Sequence, residues 1–116
     1  MHIHNIYADS VGESHFRDLF IEWNESKGFS QISDKIPATG IIFRHTTGEY
    51  NLDWHPAPRR QYIVNLDAAV KITASDGEVR VIKAGKILLV EDTWGKGHLS
   101  SAVEGQERHS LFIPIE

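Results

Sequence analysis

The stretch YIVNLDAAVKITASDGEVRVIKAGKILLV, from Tyr62 to Val90, carries the reading of the fold class. Ile63, Val64, Leu66, Ala68, Val70 and Ile72 form a run rich in β-branched residues that ends at Ser75, Asp76, Gly77 and Glu78. An Asp-Gly pair between two such runs predicts a hairpin, because a type I′ turn needs positive φ at both central residues. Val79, Val81 and Ile82 supply the return strand, and Ala84, Gly85 and Lys86 a second turn. Ile87 to Val90 then reads as a third strand, apolar throughout and so buried on both faces.

The same rhythm continues outward. After a break from Glu91 to Gly97, strands are predicted at His98–Val103 and Ser110–Ile115, separated by a turn at Glu104 to Glu107. Gly40 to His45 forms another strand upstream. Short strands with turn signals every ~8–12 residues indicate an all-β sandwich or small barrel. The first 35 residues carry two patterns. Phe16, Leu19, Phe20 and Trp23 have helical spacing after a cap at Ser10 or Ser14, whereas Leu19, Ile21 and Trp23 alternate as on a strand. The strand is favoured, since a barrel of this size adds an amino-terminal strand to a sheet edge. Gly28 to Ala38 is polar and reads as a loop.

The totals narrow the function classes. With 116 residues, 41% of them hydrophobic and 24% charged, the chain reads as one globular domain over 1–116, with its barrel core at about 40–115. The net charge is −4 and Arg59-Arg60 is the one adjacent basic pair, which argues against nucleic acid as a partner. Cysteine is absent, excluding disulfides and thiolate chemistry. No apolar run of ~18 residues predicts a membrane span. With no leader pattern at Met1 to Asn5, a cytoplasmic location is expected.

The run Trp54-His55-Pro56-Ala57-Pro58-Arg59-Arg60-Gln61, continuing to Ala68, resembles the first motif of the cupin superfamily. That motif reads His-x-His, three or four residues, Glu, six residues, Gly. His55 fits the first histidine, Gln61 falls on the glutamate and Ala68 on the glycine, while Ala57 stands in place of the second histidine. Thr93-Trp94-Gly95-Lys96-Gly97-His98 resembles the second motif, Pro-x-Gly-x-x-His, with Thr93 replacing the proline. Ala84-Gly85-Lys86 is similar to the Pro-Gly-Asp turn between them, two residues further from the second histidine than usual. The whole chain also resembles small stand-alone bacterial cupins without an assigned activity. These likenesses imply a double-stranded β-helix, or jelly-roll barrel.

A cupin metal site takes three histidines and a carboxylate around iron, manganese, nickel, copper or zinc. Here the resemblance leaves His55, Gln61 and His98 as ligands, so one divalent metal and a metal-free polar pocket both stand as expectations. His45 or His109 is the substitute that a complete metal site would need. On one strand His55, Ala57, Arg59, Gln61 and Ile63 share a face, and His98 would reach them from a facing strand. Arg59 would then anchor a small anionic ligand beside Gln61, with Asp92 as an internal partner if no ligand is there. Which of Arg59 and Arg60 faces inward is left open. Trp54 is either a stacking wall for a planar ligand or a core residue. His55 and His98 are the candidate acid–base pair. His2, His4 and His15 read as solvated or structural. Enzyme and non-catalytic sensor are both open, and the apolar strand Ile87–Val90 leads to the expectation of a homodimer.

Overall fold

The computed structural model describes residues 1–116, which form an all-β fold of twelve strands and no helix. The strands are β1 His2–Ala8, β2 Ser14–Phe20, β3 Glu25–Lys27, β4 Ser30–Ile32, β5 Ile42–Thr46, β6 Asn51–His55, β7 Gln61–Asn65, β8 Val70–Ala74, β9 Val79–Ile82, β10 Ile87–Glu91, β11 His98–Ala102 and β12 Arg108–Pro114. Six of them make one sheet in the order β2-β1-β10-β7-β12-β5, and four make a second in the order β6-β11-β8-β9. With no helix, none is long and apolar enough to cross a membrane.

The amino-terminal segment is a strand pair, as its alternation predicted. The Asp76-Gly77 hairpin is formed too, with β8 and β9 antiparallel from Val70 opposite Ile82 to Thr73 opposite Val79. The run from Ile63 to Ile72 differs from its reading as one strand. It is two strands in different sheets, turning at the exposed Leu66. Fully buried Asn65 makes the corner: its amide donates to the Ile82 carbonyl at 2.9 Å, and its own carbonyl accepts from Gly85 N at 2.7 Å. A hydrophobic pattern records burial but not which sheet does the burying, so the corner is invisible in it. Residues Gly28 to Ala38 are likewise not all loop, since β3 and β4 form a small exposed hairpin.

Between the sheets lies a core of Ile6, Phe16, Ala57, Val70, Ile72, Ala74, Ile82, Leu88 and Val90. β10 is central, pairing parallel with β1 and antiparallel with β7. Its Leu88 and Val90 enter the core, while Ile87 turns to the outer side. There the chain provides a cover of its own, because Ile21, Trp23 and Ile36 pass over Ile3, Ile87, Tyr62 and Ile113 around a cavity of about 200 Å³. The outer side of this strand therefore meets apolar residues of its own chain and does not by itself call for a second copy.

The loop between β10 and β11 is held by backbone contact. Gly95 and Gly97 have φ of 83° and 70°. A Cβ at Gly97 would overlap the His55 carbonyl, and one at Gly95 would overlap Gly12. Gly85, with φ of 78°, has nothing within 4 Å of the same position. Alanine at Gly85 is thus expected to cost only the left-handed conformation, roughly 1–2 kcal/mol, and alanine at Gly97 clearly more. Urea denaturation of the two variants measures the difference, and equal losses would discard the close approach as a constraint.

Candidate functional site

The glycine at position 97 lets β11 begin hard against the end of β6, so His98 sits directly opposite His55 in the antiparallel register. Cross-strand partners share a face, and their ring centroids are 4.5 Å apart at 58°. They are neighbours in one sheet, not residues of facing strands as the motif reading had it. His98 Nδ1–H donates to Asp92 Oδ2 at 2.5 Å, with Asp92 completely buried. His55 Nδ1–H donates to the Asp53 carbonyl at 2.7 Å. Because both acceptors are oxygens, each ring carries a proton on Nδ1, and no side-chain or backbone partner engages Nε2 of either ring.

Both imidazoles line a cavity of about 400 Å³ between the sheets. Gln61 opens β7 on the opposite sheet and is buried against the same space, with its Oε1 unpartnered. Tyr50 and Ser100 add hydroxyls joined at 2.6 Å. Apolar side chains, among them Ile63, Val70, Ile72, Leu88 and Phe112, form much of the remaining wall. No aspartate or glutamate lines it.

The cavity does hold guanidinium groups. Arg44 on β5, Arg59 in the 56–60 connection and Arg108 at the start of β12 all line it. None of the three forms an ion pair, whereas Arg17, Arg60 and Arg80 each pair with a carboxylate outside it. Arg108 is buried, and its side-chain hydrogen bond goes to the amide oxygen of Asn65 at 3.2 Å. Burial pushes its pKa below the ordinary arginine value, and the nearby Arg44 charge acts in the same direction.

The sequence-derived candidates separate on this geometry. His55, Arg59, Gln61 and His98 do reach one volume. The single strand invoked to bring them there is absent, since Pro56 to Arg60 is irregular between β6 and β7. Two prolines without amide protons cannot maintain a ladder there. Arg59 is exposed at the rim, and Arg60 turns outward to Glu91 at 2.8 Å. Trp54 is exposed and off the cavity, so it is neither wall nor core. Asp92 serves His98 and not an arginine. His45 and His109 stack on each other at 4.9 Å outside the cavity and supply no substitute ligand. His15 is structural, bonded to Asp9 at 2.8 Å and Asp76 at 2.9 Å. The residue missed was Arg108, which lies beside no motif.

No protein-family model and no curated protein matches the chain. Among solved structures it is similar to protein NMB1881 from Neisseria meningitidis, at 12% identity and a TM-score of 0.49, over 76% of this chain and 90% of that one. It is also similar to the conserved SPY1581 protein of unknown function from Streptococcus pyogenes, at 14% identity and a TM-score of 0.47, over 84% of this chain and 95% of that one.

At mildly alkaline pH, long-range proton–nitrogen correlation spectra are expected to report both His55 and His98 as Nδ1–H tautomers. An Nε2–H signal from either ring would end the paired lone-pair reading. Asp92→Ala should also lower stability by roughly 1.5–3 kcal/mol, the worth of a hydrogen bond to a charged group, as read by urea denaturation.

Proposed function

We propose that the chain is a cupin-type jelly-roll protein whose interior pocket binds, and converts by acid–base chemistry, a small anionic metabolite. The observation that carries this reading is the segregation of the arginines: the three facing the cavity lack carboxylate partners, and the three elsewhere have them. A buried guanidinium is costly without a counter-charge. A ligand carboxylate or phosphate would supply one in matching planar geometry. Arg108 is the inner anchor, replacing Arg59, which stands exposed at the rim. A volume of about 400 Å³ suits a small metabolite.

The two Nε2 atoms on the same cavity provide the chemistry. One imidazole takes a proton from the bound molecule through Nε2 and the same ring, now an imidazolium, returns it to another atom of that molecule, with Asp92 orienting His98 and stabilising its charged form. As a metal centre the pocket offers two imidazoles and the Gln61 amide oxygen, all neutral, alongside three cationic side chains. That donor set does not fit a divalent ion, and the metal-free pocket is the preferred account. A non-catalytic sensor would use the same anchor without the proton transfer.

The test is a thermal-shift screen of small carboxylates and sugar acids against neutral analogues, followed by titration of the best hit. Arg108→Gln should weaken binding roughly ten- to a hundred-fold, for a loss of about 1.5–3 kcal/mol, and Arg59→Gln less. Hits dominated by neutral compounds, or an unchanged affinity in Arg108→Gln, would sink the reading.

We also infer a homodimer, now through β5. This strand ends the six-stranded sheet, and its Ile42 and Phe43, with Ile41 just before them, are exposed, Phe43 at 77%. An apolar sheet edge needs a partner strand or cover. Sedimentation at micromolar concentration should give about twice the 13.1 kDa of the chain, and Phe43→Glu should return it to one. A single-chain mass for the parent protein refutes the pairing.

A further inference from the structure

A second cluster of ligand-type side chains lies outside the cavity, on the β1–β2 hairpin. His2 and His4 are two residues apart on β1 and so share a face. Asp18 on β2 stands directly opposite His4 in the antiparallel register. The ligand atoms of the three all lie within 4.8 Å of one another, and His2 Nε2 is already 2.7 Å from Asp18 Oδ1. Two ligands of one zinc ion sit no more than about 4.4 Å apart, twice the ~2.2 Å bond. Small rotamer adjustments therefore bring all three into range.

What occupies this position is a positive charge. Arg80 Nη1, reaching over from β9, donates to His4 Nδ1 at 3.0 Å and to Asp18 Oδ1 at 2.7 Å. His4 Nδ1 thus carries a lone pair, the form of imidazole that coordinates a metal. Arg80 is also held at 2.8 Å by Glu78, and its guanidinium lies 4.9 Å from the Phe16 ring centroid. It can withdraw from Asp18 without losing every counter-charge. The three ligand-type side chains are thus closed over by a guanidinium that is bonded to a second carboxylate as well.

We propose that His2, His4 and Asp18 bind one divalent transition ion of zinc type, with Arg80 as the competing internal cation. Two imidazoles and a carboxylate are a donor set that such an ion takes, and they leave a further position for water. The ion would cross-link β1 to β2 at an edge of the six-stranded sheet. Stabilisation by mass action then follows.

Calorimetric titration of the full chain, free of any histidine tag, with zinc chloride near neutral pH tests the site. One ion per chain is expected. His4→Gln and Asp18→Asn should each weaken binding roughly 10–100-fold, the loss typical of damaging even a ligand's support. Arg80→Gln should tighten it by removing the competitor, and His98→Gln should leave it unchanged. The proposal is overturned if no saturable binding occurs, or if His4→Gln and Asp18→Asn both bind as the parent does. It is equally overturned if His98→Gln abolishes binding, which would assign the ion to the cavity.

Discussion

The loop from Thr93 to Gly97 is wedged between two other pieces of backbone. On one side Gly95 packs on Gly12 of the β1–β2 turn, and the Gly12 carbonyl accepts from Lys96 N at 2.8 Å. On the other, Gly97 rests on the carbonyl of His55. The Ser14 hydroxyl donates to the Gly97 carbonyl at 2.7 Å, so the wedge is also bonded to β2. A glycine accepts positive φ and leaves out the Cβ that would separate the chains. The register of β11 on β6 follows from this contact, and the meeting of the two imidazoles follows from the register.

Beyond that contact the charges are unevenly arranged. Carboxylates cluster on the outside, where they satisfy Arg17, Arg60, Arg80 and several histidines. The cavity keeps cationic groups and neutral hydrogen-bonding groups without a carboxylate on its wall. Stability alone would favour pairing or removing a buried guanidinium. Arg108 carries that cost against a neutral amide oxygen alone.

The all-β class, the Asp76-Gly77 hairpin and the buried strand at Ile87 were legible because each rests on local signals: alternation, a turn pair, an apolar run. His55, Gln61 and His98 were legible through their spacing, although the strand argument offered for them failed at Pro56 and Pro58. What stayed hidden was non-local. Asp92 precedes His98 by six residues, and only the fold-back of the glycine loop turns its carboxyl onto the ring. Arg108 sits between Glu107 and His109 like any surface charge, and becomes special only because β12 runs into the cavity wall. The corner at Asn65 escaped for a similar reason, since polar residues inside an apolar run give no hint of which sheet they join.

The parallel pairing of β1 with β10 has a consequence for how the chain reaches this state. His4 lies beside Leu88 and Ile6 beside Val90, and the Asn5 amide bonds the Leu89 carbonyl at 3.0 Å across 84 positions. Closing so long a loop carries an entropic cost before any contact rewards it. The β8–β9 hairpin can form within itself, but the six-stranded sheet cannot complete until the last third of the chain is present. Folding rates fall as contacts become less local. On a ribosome β1 and β2 therefore emerge together, whereas the strand that closes the other edge of β1 follows only after some eighty further positions.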